Sequence, residues 1–563
     1  MTKLTIEQWM NSDKVSQEYK NQINMMTPEQ LEEAFHKNVE FGTAGMRGLM
    51  GLGTNRINEF TIARAALAFA QFVNSRNFNK RVAIAYDNRN NSKKFAEICA
   101  NVLATQNIEV FIYDKVMATP LLSYAVRELN CGGGINITAS HNPKEYNGFK
   151  VYNEAGCQLI TSLANQVVEN VNQIEDYLNI ETQANPEQAN LIKHIDNTLI
   201  DKYRNEVLAQ QLDYVKNAEF SLVYSPQHGA GINVIPALLD QAGYNYSLVE
   251  SQSNIDGDFS NTLSPNPEDT DAYIEGIKLA KENNADIVVT TDPDADRLGV
   301  AVRHDGEFRL LNGNETTAII LNYIFEKRVK SNSLPKTPFV ANTIVTSDLG
   351  DKIANKYNAT MHKTLTGFKY LGTLIDEADN LDNFIFAYEE SYGSLPLPLV
   401  RDKDAVSATL FLAEIAAHAK LEGKTLIDVL EEVYAEFGYH VDQQESITVA
   451  GLDGAEKVAA IMNKFYSETL GQNDFGNIIK IENYDTQESI TSNAVNHLDF
   501  EKATVFKVFF EELGWIAVRP SGTEPKIKVY YAAIGESQEL AENHFKILSD
   551  YIKYKIDWRW ENE

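Results

Sequence analysis

Ala285-Asp-Ile-Val-Val-Thr-Thr-Asp-Pro-Asp-Ala-Asp-Arg297 passes from a β-branched apolar run straight into three carboxylates at alternating positions. A short apolar run bounded by turn residues reads as a strand buried on both faces. A helical pattern from about Asp271 to Asn284 precedes it, so the order is helix, buried strand, polar loop. The same rhythm lies upstream, where Glu219 to Tyr224 reads as a strand, Ile232 to Gly243 as a helix and Tyr246 to Glu250 as a strand. Further toward the N-terminus, Arg81 to Asp87 is a strand and Ser92 caps a helix carrying Phe95, Ile98, Cys99, Val102 and Leu103 on one face. Strands Ile108 to Asp114 and Gly134 to Thr138 follow, the latter ending at Ala139-Ser-His-Asn-Pro143. Downstream a third round runs through strand Phe339 to Val345, helix Leu349 to Tyr357, strand Thr360 to Thr364, helix Phe368 to Glu377 and strand Asn383 to Ala387. It ends at Tyr388-Glu-Glu-Ser-Tyr-Gly393.

The predicted fold class is therefore α/β, with three tandem α/β domains. Each round ends in a polar loop after a buried strand, and open α/β sheets bind ligands beyond the carboxyl ends of their strands. The segment before residue 38 reads as helical and polar, and Phe41-Gly-Thr-Ala-Gly-Met-Arg-Gly48 as a Gly-rich loop. After Tyr439 the rhythm changes. Strands Ala503 to Phe510, Trp515 to Val518 and Lys526 to Ala532, then an amphipathic helix with Ala541, Phe545, Leu548 and Ile552, predict a smaller C-terminal α+β domain.

Composition narrows the class. A chain of 563 residues holds about three to five domains. Charged residues at 23% and hydrophobic residues at 44% exclude wholesale disorder, collagen and coiled coil. The net charge of −29 disfavours nucleic acid and anionic lipid as partners, and repels anionic substrates at long range. An anionic substrate would need a local cluster of Arg, Lys and backbone N–H groups. No apolar run is long enough to span a membrane, and the first residues lack a signal-peptide core, so the cytoplasm is the expected compartment. Cys99, Cys131 and Cys157 fit neither a zinc spacing nor a disulfide framework, and read as buried thiols.

Several loops carry chemistry. Asp292, Asp294 and Asp296 can turn their oxygens to one point, where a hard cation would relieve their repulsion; a solvated acidic turn is the other reading. An EF-hand is excluded, because Arg297 and Arg303 stand where its Gly and Glu belong. Ser140, between a buried strand and Pro143, is either a nucleophile or phosphoryl carrier, or a turn serine. No G-x-S-x-G elbow surrounds it, which counts against an α/β-hydrolase. Arg519-Pro-Ser-Gly-Thr523 is either a phosphate cradle, with Lys526 and Lys528 adding charge, or an ordinary turn. Glu389 and Ser391 can bond sugar hydroxyls; Thr366-Gly-Phe-Lys369 and Arg401-Asp-Lys-Asp404 suit polar ligands, and each of these segments also reads as a cap, a turn or a solvated face; His228 reads as structural. Gly423-Lys-Thr425 is no P-loop, since His418 occupies the required Gly position and a helix precedes it.

Four of these motifs, Thr138-Ala-Ser-His-Asn-Pro143, Asp292-Pro-Asp-Ala-Asp-Arg297, Glu389-Glu-Ser-Tyr-Gly393 and Arg519-Pro-Ser-Gly-Thr-Glu-Pro525, stand in the order found in the α-D-phosphohexomutase superfamily. With Phe41 to Gly48 and the length, the chain resembles its bacterial phosphoglucomutase branch, itself similar to mammalian phosphopentomutase and glucose-1,6-bisphosphate synthase. The resemblance implies four domains around a central cleft: 1–207 with the phosphoserine loop, 208–328 with the metal loop, 329–447 with the sugar loop and 448–563 with the phosphate loop. It implies that Ser140 carries the phosphoryl group, with Arg47, His141 and Lys150 as proton-transfer or charge-stabilising groups. Asp292, Asp294 and Asp296 would hold one Mg²⁺ together with a Ser140 phosphoryl oxygen. Arg297, Thr366, Gly367, Glu389, Ser391 and Lys403 would bind the sugar, and Arg519, Ser521, Gly522, Thr523 and Lys528 the non-reacting phosphate. The implied reaction interconverts α-D-glucose 1-phosphate and glucose 6-phosphate, with glucose 1,6-bisphosphate as activator and intermediate. Phosphopentomutase and phosphomannomutase activities are the near alternatives, and a silent sugar-phosphate-binding protein the remote one. A monomer acting on a small sugar phosphate is expected.

Overall fold

The computed structural model describes residues 2–42, 45–215, 219–449, 454–520 and 526–556. The chain forms two compact units, one of Met1–Thr316, Glu326–Lys336 and Phe368–Leu426, the other of Thr317–Phe325, Thr337–Gly367 and Ile427–Glu563.

The first unit holds a seven-stranded mixed sheet. At its centre Arg81–Tyr86 pairs in parallel with Glu109–Tyr113 on one side and with Gly133–Ile137 on the other. Arg81–Tyr86 and Gly133–Ile137 are buried on both faces because helices cover them. Among these is Ser92–Thr105, which packs against Glu59–Ser75. An Asn58 capping box starts Glu59–Ser75, whose Ile62, Ala66, Phe69 and Val73 are buried. Ser92, expected as a cap, is instead the first helical residue, and Asn91 at φ 66° is the cap. The Ser92 hydroxyl donates to Asp87 Oδ1 at 2.7 Å, which removes it from capping.

Phe41 to Gly48 is not the loop expected. Phe41–Gly42 and Gly45–Leu49 pair as strands, and Gly45–Leu49 joins Tyr146–Tyr152, with Phe41–Gly42 outermost. Gly45 at φ 94° lies against Phe149, where a Cβ would stand 2.2 Å from its carbonyl oxygen. Only glycine allows that approach. The N-terminal helices Thr2–Asn11, Gln17–Met25 and Pro28–Phe35 bury their own core, with Trp9 edge-on to Phe35 and Phe60.

The first unit also holds a five-stranded sheet. Ser221–Ser225 lies between Asn245–Leu248 and Ile287–Thr291, both parallel to it. Leu298–His304 and Glu307–Leu311 extend it antiparallel, strands that the sequence pattern had not shown. The same unit holds the hairpin Phe384–Glu389/Gly393–Leu395, so Tyr388 and Glu389 end a strand rather than open a loop. It also holds the buried helix Ala405–Leu421.

In the second unit Phe339–Thr343 and Thr360–Thr364 pair in parallel. Its large sheet is antiparallel, with Tyr439–Thr448, Lys526–Gly535, Gly514–Pro520 and Phe506–Phe510 as successive neighbours. Helix Gln538–Ile556 buries Ala541, Leu548 and Ile552 against it. Mixed α/β sheets followed by a C-terminal α+β domain agree with the fold class read from the sequence. Among the described residues no helix is long and apolar enough to cross a membrane.

Candidate active site

Strand Gly133–Ile137 delivers Ser140 in the left-handed region, at φ 52° and buried. That conformation costs a non-glycine residue about 1–3 kcal/mol and persists only where neighbours impose it. Arg89, from the loop after Arg81–Tyr86, imposes it. Its guanidinium donates to the carbonyls of Ser140 (2.6 Å), Pro143 (2.7 Å), Tyr146 (3.1 Å) and Asn142. Asp87 balances its charge at 3.1 Å, and both side chains are fully buried. Thr138 Oγ1 accepts the Ser140 N–H at 2.8 Å.

The loop after Ile287–Thr291 meets this one. Ser140 Oγ donates to Asp292 Oδ2 at 3.0 Å and lies 3.1 Å from His141 Nδ1. Asp292 Oδ1 accepts the N–H groups of Asp296 (3.1 Å) and Arg297 (3.0 Å), which curls the loop around it with Ala295 at φ 49°. Lys150, opposite Asn136 in the sheet register, reaches Asp294 Oδ2 at 2.8 Å and Asp296 Oδ2 at 3.6 Å. Arg47, on the strand beside it, donates to Asn142 Oδ1 at 2.8 Å. Lys403 Nζ lies 3.2 Å from Asp296 Oδ2 and 3.1 Å from Asp402 Oδ1.

The hairpin carrying Glu389 joins through a bridge between Arg297 and Gly393. A Cβ at Gly393 would sit 2.2 Å from Lys403 Cδ and 2.9 Å from Glu389 Oε1, so the missing side chain leaves room for both. Arg297 pairs with Glu268 at 2.7 Å. Ser391 lies in the hairpin turn, half-buried.

The three aspartates are almost wholly buried, which removes the solvated-turn reading. One oxygen from each lies within 4.8 Å of the others. Asp294 Oδ1 and Asp296 Oδ1 are buried with no hydrogen-bond partner. Burial, then the charges of Asp294 and Asp296, push Asp292 well above the usual carboxylate range. Burial penalises the Lys150 charge, yet Asp294 and Asp296 override it and hold its pKa above the ordinary value. Burial, then Arg297 and Arg47, lower the His141 imidazole well below its ordinary pKa. Burial raises Glu389 to about 7 against the pull of Lys403 and Arg297. Unpartnered carboxylate oxygens turned to one point form a donor set that fits a hard divalent cation.

Matching models of known families place all four parts of one enzyme in this order. Phosphoglucomutase/phosphomannomutase α/β/α domain I matches residues 38–178, domain II 200–306, domain III 312–437 and the C-terminal domain 483–544. The chain belongs to the phosphoglucomutase/phosphomannomutase family. As a member of that family it is an enzyme, a phosphotransferase of the mutase type. It is 40% identical over 502 residues to a phosphoglucomutase of Staphylococcus aureus strain MRSA252, covering 88% of this chain and 90% of that one. In fold it is similar to a phosphoglucomutase/phosphomannomutase family protein from Burkholderia thailandensis, with TM-score 0.68 and 16% identity over 92% of this chain and 98% of that one. Parafusin from Paramecium, a phosphoglucomutase, also has TM-score 0.68, at 18% identity over 92% of this chain and 95% of that one.

Of the residues that the family resemblance marked, the first unit brings Ser140, His141, Lys150, the three aspartates and Lys403 within ion-pair or hydrogen-bond distance of one another in a chain. Arg47, Arg297 and Glu389 stand at its rim. Thr366 and Gly367 follow strand Thr360–Thr364 in the second unit, Gly367 at φ 110°. Arg519 lies opposite exposed Lys528 near the end of antiparallel strand Gly514–Pro520, while Ser521, Gly522 and Thr523 lie outside the described residues. Arg401, Asp402 and Asp404 are buried rather than solvated, and Asp404 caps helix Ala405–Leu421. His228 is structural, its Nδ1 2.8 Å from the Asn254 carbonyl oxygen. Sequence reading missed Asp87, Arg89, Thr119 and Asn136. The polar Asp87-Asn-Arg89 that ends a buried strand carried the same signal as the loops that were noticed.

Proposed function

We propose that this protein is a phosphoglucomutase that interconverts α-D-glucose 1-phosphate and glucose 6-phosphate through a phosphorylated Ser140. The observation that carries the reading is the 3.0 Å contact between the Ser140 hydroxyl and Asp292 of a buried acidic nest. Asp292, Asp294 and Asp296 would hold Mg²⁺, which when bound neutralises charge on the transferring phosphoryl group. The P–O bond to Ser140 breaks as one forms to the free sugar hydroxyl. His141, kept neutral by burial and by neighbouring cations, takes the sugar hydroxyl proton at Nδ1 and passes it to the departing Ser140 oxygen, 3.1 Å from that nitrogen. Lys150, Arg47 and Lys403 supply fixed positive charge, so catalysis is mainly positioning and electrostatics.

Glu389, Ser391, Arg297, Thr366 and Gly367 bind the sugar, and Arg519, Ser521, Gly522, Thr523 and Lys528 the phosphate that is not reacting. Glucose 1,6-bisphosphate forms, reverses its orientation and returns its other phosphate to Ser140. Three buried unpaired cysteines fit a reducing compartment, and we place the enzyme in the cytoplasm. Ser140→Ala should abolish turnover without changing the unfolding temperature. A substrate panel with catalytic glucose 1,6-bisphosphate tests the sugar. Glucose 1-phosphate should give the highest kcat/KM, and a higher value for ribose 1-phosphate or mannose 1-phosphate would reassign the substrate.

A further inference from the structure

Asp294 is held from a direction unlike that of its two companions. Its Oδ2 accepts from Lys150 Nζ at 2.8 Å and from Thr119 Oγ1 at 2.9 Å. Thr119 begins helix Thr119–Glu128, and its backbone N–H, one of the donors that a helix start leaves unpaired, donates to the Asp294 carbonyl at 2.8 Å. Asn136, on strand Gly133–Ile137, donates through Nδ2 to Thr119 Oγ1 at 2.8 Å. With that lone pair taken, the Thr119 hydroxyl proton points to Asp294. Asn136, Thr119 and Asp294 are all fully buried, so no water competes for these bonds. Both donors to Asp294 fall on Oδ2, and Oδ1 stays buried with no hydrogen-bond partner.

We propose that Thr119 is a positioning residue for the acidic nest, gripping Asp294 by backbone and hydroxyl so that Oδ1 is the oxygen presented to a divalent cation. Thr119 touches neither the sugar nor the transferring group in this assignment and acts only through Asp294. The inference rests on the reading that the three aspartates bind a cation. Oxygens that orient metal ligands typically change affinity 10–100-fold when removed.

The test uses the full chain stripped with a chelator, with Mn²⁺ as probe in titration calorimetry. Thr119→Val keeps the side-chain shape and removes the hydroxyl; it should weaken Mn²⁺ binding about tenfold or more in a protein that still folds, with a lower unfolding temperature because buried Asn136 loses its acceptor. Thr119→Ser restores the hydroxyl and should bind within about twofold of the parent. Should the valine variant not fold, Thr119→Ala carries the same expectation. Parental affinity in the hydroxyl-free variant would overturn the proposal, as would an equal loss in Thr119→Ser. A parent protein that binds no Mn²⁺ would instead overturn the cation reading itself.

Discussion

Arg89 gathers four main-chain carbonyls around one guanidinium and shares its charge with buried Asp87. Arg89→Met would leave Asp87 buried and unpaired and those carbonyls without their donor. Removing one partner of a buried ion pair costs about 3–5 kcal/mol. Urea unfolding should register a loss of that size for the first unit, and turnover should fall with it because Ser140 loses its imposed backbone. A variant within about 1 kcal/mol of the parent would mean that the loop supports itself. Ser140 and the three aspartates were legible because each sits in a polar loop just after an apolar run. Arg89 and Thr119 were not. Their partners stand 51 and 175 residues away, and bonds to main-chain carbonyls leave no pattern in a linear sequence.

At the level of elements, buried central strands such as Arg81–Tyr86 and Ile287–Thr291 announced themselves as apolar runs, while outer strands did not. Residues 307–310 of strand Glu307–Leu311 alternate exposed with partly buried, and Gly45–Leu49 carries two glycines and an arginine. Strand Phe506–Phe510 holds an internal tension of its own. Lys507 is buried, stacks 3.5 Å from the Trp515 ring and donates to the Ile344 carbonyl at 2.9 Å. Trp515 Nε1 donates to Asp348 Oδ2 at 2.7 Å, which sets a carboxylate near the ammonium. Burial lowers Lys507 to about 8, with Asp348 opposing the shift and Lys363 adding to it. An unfolded lysine keeps its proton to about 10.4. Between those two values the unfolded state binds more protons, so stability rises with pH across that window. Hydrogen exchange at Val508 should therefore slow between pH 8 and 10, after correction for intrinsic exchange rates. Lys507→Met should remove that pH dependence, and a variant with the parental slope would assign the titration elsewhere.

Over the whole molecule, a net charge of −29 meets a reaction whose substrates are anions. The cations Lys150, Lys403 and Arg47 are local, whereas the acidic field is long-ranged at low salt. The screening length falls from about 30 Å at 10 mM ionic strength to about 8 Å at 150 mM. The kcat/KM for glucose 1-phosphate should rise over that range at fixed divalent cation, opposite to an electrostatically steered enzyme. A falling value would show that the local cluster already governs encounter.

Cys99, Cys131 and Cys157 all lie in the first unit, each nearly inaccessible. Burial raises all three thiols, Cys131 to about 12, so almost no thiolate exists at neutral pH. Alkylating reagents should pass over the folded protein and consume its sulfur only when the first unit opens. The chain thus carries a chemical clock for that opening, set by three sulfurs that solvent reaches only as their surroundings come apart.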